Sequence, residues 1–310
     1  MTLFRSKIVI VGILGLLSKS ALAAPCCGGA SALPSLITGD DQAQMSFASS
    51  AGGVVSDVSP QGVPTVRVAG DSETIQTMTL GGAYRVLDRF QMGAEIPLIS
   101  RERSTSAISA QAAGLGDVRL DTAYEFLPEW SYSTWRPHGL VFFQMNLPTG
   151  PSIYDASSPY LLDARGRGFF STALGLVFVK GIGNFDFLLS GEIHRSFPRT
   201  MDNGDGTTTE LIPSYGASGV AGVGYTPGSG SWRIGVNLSP VFEGPIEAQG
   251  EINSVSDNQL VWNTCLALGY SISSDLSAVL VYTDQTLLGP SQNVSLSRTV
   301  AVNLQKRWEL

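Results

Sequence analysis

Charge is scarce in this chain. Charged residues make up 15% of its 310 positions, where an average soluble domain carries roughly 25%. Lysine is scarcer still: beyond residue 23 only Lys180 and Lys306 occur, and arginine supplies the other cations. There is no basic run and the formal net charge is −7, which excludes nucleic acid as a partner, since phosphate binding needs clustered positive charge. Past residue 23 no apolar run approaches the roughly 18 residues that a transmembrane helix requires. Histidine is limited to His138 and His194, and cysteine to Cys26, Cys27 and Cys265. Glycine, by contrast, is plentiful at 35 residues, well above the usual ~7%.

Residues 1–23 have the layout of a secretory signal. Arg5 and Lys7 form a positive start, Ile8–Leu17 an apolar run too short to span a membrane, and Ala21-Leu22-Ala23 a small-x-small cleavage site. Cleavage is expected after Ala23, because a cut one residue later would set Pro25 beside the scissile bond. Pro25 before Cys26 also argues against a lipoprotein site. Loss of Arg5, Lys7 and Lys19 makes the exported chain three units more negative. Residues 24–40 show no periodicity and read as an N-terminal extension, able to fold inward as a lumen plug; residues 41–310 carry the periodic pattern.

Within Gly114–Gly150 the alternation is strict. From Asp117 to Leu127, Val118, Leu120, Thr122, Tyr124 and Phe126 fall on one side, and Asp117, Arg119, Asp121, Ala123 and Glu125 on the other. Period two is the strand signal. A second strand around Val141–Leu147 follows the turn Pro128–Pro137. Ten further segments share the pattern: Gln42–Ala51, Glu73–Val86, Phe90–Ile99, Gly168–Lys180, Asn184–Phe197, Ile212–Tyr225, Trp232–Phe242, Gln259–Ser271, Asp275–Gln285 and Arg298–Leu310. One face of each is apolar. The other is small or polar almost throughout, with Leu140, Phe142, Val177 and Val179 as exceptions. A soluble sandwich needs a shared core face that is large and apolar; an outer-membrane barrel turns its apolar face to lipid and its polar face to the lumen.

The connections alternate long and short. Gly52–Ser72, Arg101–Gly114, Thr149–Arg167, Pro198–Leu211, Glu243–Asn258 and Leu287–Ser297 are long. Leu87–Arg89, Gly181–Gly183, Thr226–Ser231 and Ile272–Ser274 are short, and Pro128–Pro137 is intermediate. With both termini periplasmic, every long loop falls outside the cell, as in outer-membrane barrels with an even strand number. Aromatics at the ends of the apolar faces (Tyr84, Tyr124, Phe126, Trp130, Trp135, Phe185, Trp232, Tyr270, Trp308) stand where interfacial girdles belong. The expected fold is all-β: an up-and-down antiparallel transmembrane β-barrel of about twelve strands, with long extracellular loops and short periplasmic turns. Its expected surroundings are outer-membrane lipid and, through the C-terminal strand ending in Trp308-Glu309-Leu310, the barrel-insertion machinery.

The stretch GLGDVRLDTAYEF, a short turn, and GLVFFQMNLPTG resemble the phenol-degradation meta-pathway outer-membrane proteins, often called simply transporters. Members carry a G-x-G-D-[VL]-x-[LV] strand followed by one that ends in P-T-G. The resemblance extends more loosely from about Thr74 to Leu310 and leaves out the segment that begins with Cys26. It implies an outer-membrane channel that passes small, hydrophobic or aromatic solutes by diffusion. The alternatives are a structural or binding barrel with a blocked lumen, and an exported soluble β-protein.

Arg85, Glu95, Asp117, Arg119, Asp121, Glu125, Glu192, His194, Arg233, Arg307 and Glu309 are predicted to project into the lumen, as a salt-bridged wall, a selectivity lining, or both. Cys26 and Cys27 could form a disulfide to Cys265, bind a soft metal as an incomplete site, or have no defined role. Asp40-Asp41 and Asp202-x-x-Asp205 are calcium-like clusters that read more simply as turns. With two histidines and no Ser or Asp at the spacing of barrel-borne hydrolases, no catalysis and no cofactor are expected. His138 falls at a periplasmic turn and His194 beside Glu192 in the lumen.

Overall fold

The structure, a computed structural model, describes residues 34–309 other than 69, 129–132, 134, 204–205, 229 and 252. Twelve antiparallel strands of its fourteen-stranded main sheet form the barrel, with Pro64–Val66 and Ser109–Leu115 added at its edge: β1 (Asp41–Val58), β2 (Ser72–Leu87), β3 (Phe90–Ser104), β4 (Val118–Leu127), β5 (His138–Leu147), β6 (Ser171–Ile182), β7 (Phe185–Ser196), β8 (Tyr215–Tyr225), β9 (Trp232–Glu243), β10 (Gln259–Ser271), β11 (Leu276–Asp284) and β12 (Val294–Glu309). Each pairs with its neighbours in sequence. The sheet closes on itself where β1 meets β12, from Asp41 opposite Glu309 to Val58 opposite Val294. Closure leaves no row of unpaired backbone groups, the condition for strands to cross a membrane. Among the described residues no helix is long and apolar enough to do so.

Alternation sends the two faces to different surroundings. Outward side chains such as Leu80, Leu174, Leu189, Leu266 and Val300 are exposed, Leu174 at 62%. Inward ones such as Gln144, Ser190, Asn237, Asn263 and Gln305 are buried. A water-soluble fold would bury the first set and expose the second. An apolar belt this continuous marks a surface meant to be covered, and lipid is the covering that suits a closed barrel. Aromatic pairs stand at its two edges: Trp232 against Tyr270 (centroids 4.5 Å apart) and Phe185 against Tyr225 (5.0 Å) at one rim, Phe170 against Phe197 (5.5 Å) at the other.

All the long connections leave one rim, the loop rim, and the short turns leave the opposite one, the turn rim. Several strands reach further than periodicity alone predicts. β1 continues from Ala51 to Val58, β3 from Ile99 to Ser104, and β12 begins at Val294 rather than Arg298. Most of the expected loop Arg101–Gly114 is a hairpin, with Ser109–Leu115 paired to the outer half of β3. Above the apolar belt the outward face carries polar residues such as Asp57 while the inward Ser56 and Val58 stay buried, so the ladder persists while the apolar–polar contrast of period two fades. Two other loops join in a small second sheet, Arg199–Asp202, Thr208–Pro213, Ile246–Gln249 and Ser254–Val255.

Candidate functional site

Residues 34–40 precede β1 at the turn rim and run along the inner wall. Their backbone, which no strand pairs, is taken up by inward side chains. Gln91 accepts from the Ile37 N–H (2.6 Å) and donates to the Ile37 carbonyl (2.9 Å). Gln44 donates to the Leu36 carbonyl (2.9 Å) and Arg85 to that of Gly39 (2.5 Å). Ser35 donates from its N–H to Asp121 (3.2 Å) and from its hydroxyl to Glu95 (2.7 Å). Ile37 is 1% exposed. The chain passes so close to β3 that a Cβ on Gly93 would collide with the Ser35 carbonyl.

The inward apolar residues Leu140, Phe142, Val177 and Val179 belong to one cluster, and Cys265, Ala267, Val279, Val281 and Ala301 form a second. In the first, Ala123, Leu140, Phe142, Val177, Leu188 and Val220 pack together, with Val179 and Leu36 against them. Leu36 thus docks, partly buried, on an apolar patch of the wall. The largest fully buried side chains of the strands, Phe142 and Leu140, belong to the cluster that Leu36 packs against.

The predicted charged residues separate into distinct groups. Glu95, Arg119 and Asp121 form a central layer: Arg119 Nη2 lies 2.5 Å from Glu95 and its Nε 3.6 Å from Asp121. Arg85, Glu125 and His138 stand near the turn rim, with His138 Nε2 2.8 Å from Glu125. Arg233 holds Asp186 through two nitrogens at 2.9 and 2.5 Å. Arg307 donates to the Ser274 carbonyl (3.3 Å), and Glu309 is exposed at the end of β12. On the loop side His194 sits between Glu192 (3.5 Å) and Glu243 (3.0 Å), and Arg167 also bonds Glu243. A single arc of eleven charges is therefore not what the fold brings together. Gln44 and Gln91, which hold the inner segment, were not among the sequence candidates; inward glutamines close to the turn rim were the available signal.

Between the central charged layer and the loop rim lies a cavity of about 420 Å³. Hydroxyl and amide side chains, including Ser50, Thr77, Thr79, Asn263, Thr283 and Asn303, line it together with Ala48, Ile75, Pro97 and Ala301, so that its exposed wall is more apolar than polar, and among the described residues no aromatic ring lines it. Glu95, Asp117 and Arg119 supply its charge.

Asp117 is less free than its inward position suggests. Its carboxylate accepts the N–H of Gly150 (3.1 Å) and of Arg167 (2.7 Å). Thr149 donates its hydroxyl to the Gly116 carbonyl (2.6 Å) and accepts the Val118 N–H (3.0 Å). A Cβ on Gly150 would press on the Gly116 backbone. The Gly116-Asp117-Val118 and Pro148-Thr149-Gly150 motifs are therefore the two halves of one latch, which folds loop 148–170 against the wall. At its outer end Arg199 pairs with Asp155 (2.6 Å) and holds that carboxyl at about 2.

Cys265 is buried on the inward face with its thiol 3.4 Å from the Thr283 hydroxyl. Cys26, Cys27, Trp130, Asp205 and Leu310 lie outside the described residues, and so does any disulfide or metal contact of the cysteine pair. Among the described residues no three His, Cys, Asp or Glu side chains are grouped to hold a metal ion.

No protein-family model matches the sequence, and no curated protein is similar enough to count as a relative. Solved structures are similar in fold. A crystal structure of an outer membrane channel from Pseudomonas putida F1 is 12% identical over 86% of this chain and 96% of its own, with a TM-score of 0.66. The transport unit of the autotransporter AIDA-I from Escherichia coli (8% identity, 94% and 95% covered) scores 0.46. The P. putida toluene transporter TodX (9% identity, 87% and 91% covered) scores 0.38. The first likeness places this fold among outer-membrane barrels; the other two are too distant to support anything further.

Proposed function

We propose that the chain is an outer-membrane channel through which small solutes diffuse passively, its loop rim outside the cell and its turn rim in the periplasm. The observation that carries this is the cavity of about 420 Å³ enclosed by a closed barrel whose outer face is apolar. Polar groups facing inward keep water in the lumen, so a solute that enters from the loop side needs no energy source to move along it. The hydrophobic or aromatic solutes implied by the family resemblance would meet both hydroxyls and apolar groups such as Ile75 and Pro97 in this cavity and, among the described residues, no ring to stack on. The segment 34–40 stands below the cavity and narrows the way to the periplasm.

Planar-bilayer conductance of the purified mature protein tests the proposal. Discrete current steps support it; a membrane that stays silent with the mature chain and also with a variant lacking residues 24–40 would refute it. One observation favours a second reading, a barrel whose lumen is shut: Leu36 and Ile37 are seated by both apolar contact and hydrogen bonds. Silence from the mature chain with steps from the shortened variant would select that reading.

A further inference from the structure

Most ionic groups along the lumen are matched by opposite charge. Toward the loop rim Arg67, Arg101 and Arg103 pair with Asp57, Asp71 and Glu73, and Arg199 with Asp155. Arg167 and His194 meet Glu243, and His194 also meets Glu192. Arg233 holds Asp186, and His138 faces Glu125. At the turn rim Arg85 and Arg307 stand among Asp40, Asp41 and Glu309. The floor of the cavity is different. Among the described residues that line the cavity Arg119 is the one cation, and it faces both Glu95 and Asp121. Asp117, on the same wall, is held by backbone N–H groups alone, which satisfy the carboxylate without cancelling its charge. Three carboxylates thus stand around one guanidinium. The inner segment narrows the lumen at this level. Ser35 bonds Glu95 through its hydroxyl and Asp121 through its N–H, and neither donor is a charge. A solute that leaves the cavity for the periplasm therefore passes beside uncancelled negative charge. Fixed charges in a narrow aqueous path select ions by sign, and low-dielectric walls focus their field.

We infer that the level of Glu95, Asp117, Arg119 and Asp121 is the charge filter of the channel, passing small cations, amine-bearing solutes included, in preference to anions. This rests on the channel reading and names the class of charged solute that the channel prefers.

The test is the reversal potential of the full mature chain in a planar bilayer between unequal KCl baths near neutral pH. The dilute side is held at roughly 0.1 M, where screening leaves only charges within about 10 Å of the path effective. The variant without residues 24–40 is measured in parallel and read in its place if the mature chain is silent. Potassium is expected to permeate at least about threefold better than chloride. A gradient of ethanolamine hydrochloride should give a potential of the same sign. Glu95→Gln keeps an acceptor for Ser35, and Thr79→Lys adds a cation to the cavity wall. Each, checked for folding by its heat-modifiable gel migration, should lower the ratio at least about twofold. Glu247→Gln, on the small outer sheet, should leave it unchanged. Equal permeability, a preference for chloride, or a ratio that Glu95→Gln and Thr79→Lys leave unmoved overturns the inference and leaves a channel standing. If neither protein gives current steps, the channel reading falls and takes the inference with it.

Discussion

At Asp117 both carboxylate oxygens are taken by amides of loop 148–170. Hydrogen bonds to a charged group contribute about 1.5–3 kcal/mol each, so Asp117→Ala removes two of the stronger contacts that hold this loop down. Trypsin should then cut after Arg165 and Arg167 at least about tenfold faster, since loss of about 1.4 kcal/mol raises an open population tenfold. Unchanged cutting would show that the latch is not what anchors the loop. Asp155 adds a pH dependence to the same loop. Arg199 and the Ser152 hydroxyl hold its carboxyl down at about 2, below its ordinary value of 3.8. A lowered folded-state value means the contact stabilises fully above about pH 4 and is lost as pH falls through about 2. Pepsin cleavage of the loop should therefore rise between pH 4 and pH 2, relative to an Asp155→Asn variant that lacks the contact throughout. A constant ratio across that range would mean that the pair contributes nothing.

At the scale of elements, the inner segment and the strands differ in how they are held. Strands satisfy their backbone through the ladder; residues 34–40 depend on Gln91, Gln44, Arg85 and Ser35 contacts. Gln91→Leu removes two of these bonds from one residue, Ile37. Conductance of that variant should exceed the mature chain's and approach that of the variant lacking residues 24–40. If it matches the parent while the shortened variant conducts more, the glutamine does not secure the segment. The strands themselves were legible in the sequence wherever one face met lipid and the other the lumen. Their outer ends, Gly52–Val58 and Arg101–Ser104, were not, because beyond the apolar belt polar and apolar residues occur on both faces and the contrast on which periodicity depends is lost. Within the site, Glu95, Arg119 and Asp121 were readable as inward charges. The contact of Glu95 and Asp121 with Ser35 was not, since it links positions 60 and 86 residues apart.

For the whole molecule, the apolar belt has a direct consequence. Arginine on the lipid face near the midplane costs about 2–4 kcal/mol in barrels of this kind, whereas surface substitutions away from such features change stability by about 0.5 kcal/mol or less. Leu176→Arg, in the middle of β6, should lower the urea midpoint of the vesicle-folded protein clearly. Val255→Arg, on the small sheet beyond the belt, should not. Equal midpoints would mean that the outer face of β6 is not in lipid. Unboiled protein should also run faster than boiled protein on a detergent gel, because closure between β1 and β12 resists unfolding.

The amino-acid order alone determined that one face of each strand is apolar, that twelve such strands occur, and that their connections alternate in length. Those are local properties: a period of two and the placement of turns follow from neighbouring residues. Tertiary structure decided what stands inside. Whether Asp117 is a pore charge or a loop anchor depends on Gly150 and Arg167. Whether Phe142 is an anomaly or a docking surface depends on Leu36, about a hundred residues earlier. Contacts between distant segments are set by closure of the barrel, which brings every inward side chain to one shared space, and no single strand carries that information.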